Sequence, residues 1–123
     1  MWRLVLSLLA SGVAGAYPNF SCQPSGSTES DLHLATAIVQ RLPELAEWTG
    51  SDAVFDTGER ERVGGQCYEA VYVYHVMPSK DLDLRYVFLV YLPTKKVLFQ
   101  DIGTLKTFTL KQWRVRRAHG NEP

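Results

Sequence analysis

The sequence predicts an α+β fold: one N-terminal helix packed on a curved antiparallel sheet of four to five strands. Three observations carry this. Leu32, Leu34, Ala35, Ile38, Val39, Leu42, Leu45 and Ala46 recur at helical spacing. From residue 53 onward the apolar period changes from helical to alternating. The alternating runs are joined by short connections, and short connections make antiparallel neighbours because parallel strands need long crossovers. An amphipathic helix must bury its stripe, and the sheet offers the only large surface.

Taken in order, Ser30 or Asp31 caps the helix, because a short side-chain oxygen accepts the free amides of the first turn. Pro43 falls inside the pattern and predicts a kink or break, since it lacks an amide and crowds the preceding turn. Thr49-Gly50 ends the helix. Residues 53–63 read as a strand, with a polar stretch from Gly58 through Arg62. Gly64-Gly65 is a hairpin turn. Residues 67–77 alternate, with Cys67, Glu69, Val71, Val73, His75 and Met77 on one face. Strands follow over 84–92 and 96–102, and residues 104–115 read as a final strand through Phe108, Leu110 and Trp113.

The 123 residues are 46% hydrophobic and 21% charged, with 13 basic and 13 acidic side chains. That length suits one modest domain. A balanced charge argues against nucleic acid as the main partner, because phosphate neutralisation needs a basic excess. No apolar run outside the N-terminus is long enough to span a bilayer. Charge is unevenly placed: acids dominate from Glu29 to Glu61, whereas Lys106, Lys111, Arg114, Arg116 and Arg117 form a basic stretch without an acid. Such an end steers an acidic partner, or keeps a terminal strand soluble.

Residues 1–16 have the order of a secretory signal: one charge at Arg3, a short apolar run, then small residues ending at Ala16. The predicted organisation is this signal, an extended segment over 17–30, a helix-plus-sheet domain over 31–117 and a loose tail over 118–123. Export is the expected fate, extracellular or periplasmic. In an oxidising compartment Cys22 and Cys67 pair most simply as one disulfide, stabilising the fold by roughly 2–4 kcal/mol, the alternative being two free thiols. Asn19-Phe20-Ser21 fits the N-glycosylation pattern, which makes Asn19 a candidate if the source is eukaryotic.

Short motifs then bring in a family. Glu61-Arg62-Val63-Gly64-Gly65 stands where cystatins carry a Q-x-V-x-G first hairpin loop; Val63 and Gly65 match, and Glu61 departs from the glutamine. Gly26 lies in the extended segment that carries a trunk glycine in that family, and Leu92-Pro93 falls near its second-loop proline. Over residues 24–102 the chain resembles the cystatins. Thr94 stands where secreted cystatins have a tryptophan, the two cysteines lie early, and the residues after 102 have no counterpart in the short members. The resemblance implies that Gly26 and the two hairpin tips line up as a wedge that fills the cleft of a papain-like cysteine protease. The alternative is a non-enzymatic periplasmic immunity or inhibitor protein that caps a toxin or hydrolase.

Catalytic constellations are not found by motif. His33, His75 and His119 show no metal-ligand spacing, and Asp81 with Asp83 reads as turn chemistry. No nucleophile elbow or phosphate loop occurs, so the expectation is a binding protein without cofactor, metal or catalytic residues. Tyr68, Tyr72, Tyr74, Tyr86 and Tyr91 make an aromatic ladder that serves either cross-strand pairing or a partner.

Overall fold

The computed structural model describes residue 22, residues 27–48 and residues 52–120. The first helix, α1, is Glu29–Gln40. Its cap is Thr28, not Ser30 or Asp31. The Thr28 hydroxyl accepts the Asp31 amide, and the Asp31 carboxylate accepts the Thr28 amide, each at 3.1 Å. This reciprocal pair satisfies amides that a helix start otherwise leaves open, and it places a carboxylate at the positive end of the helix dipole. The helix is shorter than its apolar pattern predicts. Arg41 caps it, and a 3₁₀ helix follows over Pro43–Trp48. The proline ring disfavours helical backbone at Leu42, so the expected kink is a break. Leu42 and Leu45 still reach the core, which carries the apolar stripe across that break. Thr49 and Gly50 lie outside the described residues.

Residues 53–63 form two strands, β1 (Ala53–Thr57) and β2 (Glu61–Val63), both antiparallel to β3 (Gln66–Val76). They part at Gly58, whose amide donates to the Ala70 carbonyl at 3.0 Å. The Tyr72 ring lies over that glycine where a Cβ would otherwise stand. The sheet continues through β4 (Leu82–Tyr91), β5 (Lys96–Gln100) and β6 (Thr107–Thr109). The order is β1–β3–β4–β5–β6, with β2 alongside β3. The class is α+β as predicted, with six strands and a second helix among the described residues. Between β3 and β4 the register slips at Val73/Tyr74, leaving Arg85 as the extra residue of a bulge. The slip turns Leu84 to one face and Tyr86 to the other.

The C-terminal part differs from expectation. Only Thr107–Thr109 of the anticipated last strand pairs, and Leu110–Ala118 is a helix, α2. Thr109 caps it: its hydroxyl accepts the Gln112 amide at 3.1 Å, and the Gln112 side chain accepts the Thr109 amide at 2.9 Å. Leu110 and Trp113, three apart, both meet the core, which a strand would not allow. Ala118 therefore closes a helix instead of opening a loose tail, and the His119 amide donates back to the Val115 carbonyl at 3.2 Å. Residues 121–123 lie outside the described residues.

Both faces of the sheet are buried. On the first, Ala35 and Val39 of α1 and Trp113 of α2 cover Val71, Val73, Tyr86, Phe88, Val90 and Phe99. Trp113 is fully buried; it stacks on Phe99 at 4.8 Å and meets Phe88 and Tyr86 edge-on at 5.3 and 5.6 Å. The second cluster holds Tyr68, Ala70, Val87, Leu89 and Leu98, with Val63, Tyr72, Leu84 and Tyr91 against it, and every one of these is a strand residue. Among the described residues its cover comes from the sheet itself. The Gln100 amide on β5 donates to the Glu61 carboxylate on β2 at 3.0 Å. Three strand spacings separate β2 from β5, about 14 Å in a flat sheet. Side chains standing off one face do not bridge that distance, so the β2–β3 hairpin curls over the second face.

Trp113→Ala should cost about 3–5 kcal/mol in urea unfolding, the range for deleting a buried aromatic, because helix α2 loses its anchor. A second outcome concerns pH. The Arg114 guanidinium donates to both Glu44 carboxylate oxygens, at 2.6 and 3.2 Å, and this holds the Glu44 carboxyl below its ordinary value of 4.5. A depressed carboxyl stabilises the fold above its unfolded pKa and loses that contribution as pH falls through the folded one. Arg114→Gln should therefore lower stability at pH 7 and flatten its decline below pH 4.5, as read by thermal melts across that window.

Candidate functional site

A meander puts alternate turns at the same end of the sheet. The β2–β3 and β4–β5 turns share one end, and the β3–β4 and β5–β6 connections share the other. At the first end Gly64 and Gly65 have φ of 56° and 82°. These two central positions of a hairpin turn need the left-handed region that glycine enters freely. The β4–β5 turn runs through residues 92–95, closed by the Lys95 amide on the Leu92 carbonyl at 3.2 Å, with Pro93 exposed.

Between the two turns lies a groove of about 570 Å³. Gly65, Gln66 and Cys67 form one side, and Tyr91, Leu92 and Pro93 the other; Asp31, Arg60 and Glu69 complete it. The sequence-predicted Gly65, Leu92 and Pro93 thus meet at one rim. Gly26, the third element of the expected wedge, lies outside the described residues, as does Asn19. Cys22 and Ser27, the described residues that flank Gly26, both bind β3. Cys22 forms a disulfide with Cys67, with Cα atoms 5.4 Å apart, and the Ser27 hydroxyl lies 2.9 and 3.1 Å from the two Glu69 oxygens. The pairing expected from the sequence is therefore present.

The first tip is not wholly free for a partner. Val63 packs into the second core, and Glu61 is turned over the same face to Gln100. Gly64 and Gly65 remain exposed, and Arg62 stands opposite Cys67 on the other face of the hairpin. The site residues absent from the motif reading are Asp31, Arg60, Gln66, Glu69 and Tyr91. Glu69 had a visible signal. It sits between Cys67 and Val71 on the core-facing parity of β3, where a charge is out of pattern, and it is only 3% exposed.

The other candidates have structural partners. Tyr68 and Tyr86 are buried on opposite faces, so the tyrosine ladder divides between two cores; Tyr68 packs on Tyr91 at 5.5 Å. Of the basic stretch, Arg114 binds Glu44, Arg116 lies over Phe108 at 4.9 Å, and Arg117 lies over Trp113 at 5.0 Å and donates to the Tyr86 hydroxyl. Lys106 and Lys111 are exposed. Among the described residues no group of three His, Cys, Asp or Glu side chains is placed to hold a metal ion, and no helix is long and apolar enough to cross a membrane.

No family model matches this chain, and no match is found among curated proteins or solved structures.

Replacing both Cys22 and Cys67 by serine should lower unfolding free energy by about 2–4 kcal/mol, because the bridge closes a long loop in the unfolded chain. Denaturant unfolding measures the loss. The mass of the wild-type protein should rise by two hydrogens on reduction.

Proposed function

We propose that this is a secreted protein-binding module that inhibits a papain-like cysteine protease by setting its hairpin tips into the active cleft. The observation that carries the reading is the meeting of the Gly64-Gly65 turn and Leu92-Pro93 at one end of the sheet, around one groove. The physical support is preorganisation. Both tips are fixed by strand pairing on either side, so little ordering entropy is lost on binding. The glycines carry no side chain to hold a partner's backbone away. The disulfide further ties the chain before α1 to the same end, and a disulfide fits an exported protein. The order of helix followed by hairpins supports the likeness to cystatins on which the protease reading depends.

A second reading, an immunity or inhibitor protein that caps a toxin or hydrolase, is favoured by one feature. The rim between the tips is notched, and charged Asp31, Arg60 and Glu69 line the notch where a wedge would present apolar surface. On this reading the partner projects into the protein as well as receiving its tips.

Titration of the purified protein against papain-type proteases should abolish activity at micromolar concentration. Pro93→Asp with Gly65→Asp should weaken inhibition by about tenfold or more, since both replace a close backbone approach by a desolvated charge. Full protease activity at micromolar protein rules out the protease reading and leaves the capping one.

A further inference from the structure

We propose that the groove between the two tips receives a cationic side chain, an arginine or a lysine, presented by the protein partner; the partner's involvement rests on the rim being its docking face. Glu69 motivates this. A carboxylate with 3% exposure is costly unless its oxygens are hydrogen-bonded or paired with a cation. A carboxylate offers about four acceptor directions. The Ser27 hydroxyl lies within reach of both oxygens but has one proton to give. Arg60 brings its Nη1 to 3.9 Å, an ion pair beyond hydrogen-bond length. Among the described residues, acceptor capacity is therefore left over in the wall of the groove.

The surrounding charge decides the sign of the guest. Among the described residues that line the groove, Asp31 and Glu69 are two carboxylates set against the guanidinium of Arg60, so this lining is net negative and disfavours an anion. The other wall suits the stem of a long basic side chain. Leu92 and Pro93 give an apolar surface for its methylenes. The groove's 570 Å³ accommodates such a side chain with the backbone that carries it.

The test is an amide-detected NMR titration of the protein with N-acetyl-arginine amide, N-acetyl-lysine amide and, as an uncharged control of similar length, N-acetyl-norleucine amide. The expected result is saturable shifts at Gly65, Gln66, Cys67 and Tyr91 with at least one of the cationic probes, weakened by salt, and none with norleucine. The two cationic arms tell guanidinium from ammonium. Glu69→Gln should weaken binding about tenfold, as expected for loss of a charged hydrogen-bond partner. Should that buried substitution unfold the chain, Asp31→Asn serves instead, because an asparagine oxygen still accepts the Thr28 amide; a severalfold weakening is expected. Equal response to norleucine, shifts confined to another surface, or undiminished binding in the folded variants would overturn the proposal. Protease inhibition without cation binding rejects only the groove; cation binding without inhibition rejects only the protease.

Discussion

Among the described residues, a sheet with two apolar faces carries helices on one of them and must draw cover for the other from its own strands. That requirement shapes the whole molecule. Tyr68, Ala70, Val87, Leu89 and Leu98 are buried together although no helical residue among those described joins their cluster. Burial of that area stabilises only if the sheet coils, and coiling is the natural response of twisted antiparallel strands. The break at Gly58 lets β2 leave the line of β1, and the Glu61–Gln100 hydrogen bond fastens the curled hairpin to the far side of the sheet. Gln100 also donates to the Leu105 carbonyl at 3.3 Å, so the same amide steadies the β5–β6 connection. The first hairpin tip is thereby positioned by the needs of the core.

The first face follows a different logic. There the aromatic side chains do the joining: Phe99 and Trp113 stack, while Phe88 and Tyr86 meet Trp113 edge-on. Offset and edge-on contacts of this kind add to simple area burial. Helix α2 is short, and short helices are marginal on their own. It persists because Trp113 is set into the sheet and Arg114 and Arg117 hold Glu44 and Tyr86 on either side. What reads as a basic steering patch in one dimension is largely the bonding of a helix to its neighbours in three.

The parts of this architecture legible in sequence are those set by period. The spacing of Ala35, Ile38 and Val39 declares the helix, and the alternation through β3 declares the strand. Gly64-Gly65 marks a turn because few other residues take its backbone angles. The C-terminal helix is not legible in the same way, because Phe108, Leu110 and Trp113 do not by themselves choose between periods. The deciding signal, Thr109 followed three residues later by Gln112, was present and is the same reciprocal cap used at Thr28 and Asp31. At the candidate site the two tips were legible as turns. The groove between them was not, because Asp31, Arg60, Glu69 and Tyr91 come from four separated stretches of chain that only the fold brings together.

The staple between Cys22 and Cys67 spans 45 residues, and the Gly64-Gly65 turn lies inside that span. A hydrolase that cut the peptide bond there would not separate the fragments, since both would remain covalently joined a few residues beyond the nick. Strand pairing of β1 and β2 with β3 crosses the cut and would keep the severed ends close to their original places. Scission at this loop is thus poorly suited to freeing an attacked enzyme, and religation from the held ends is entropically cheap.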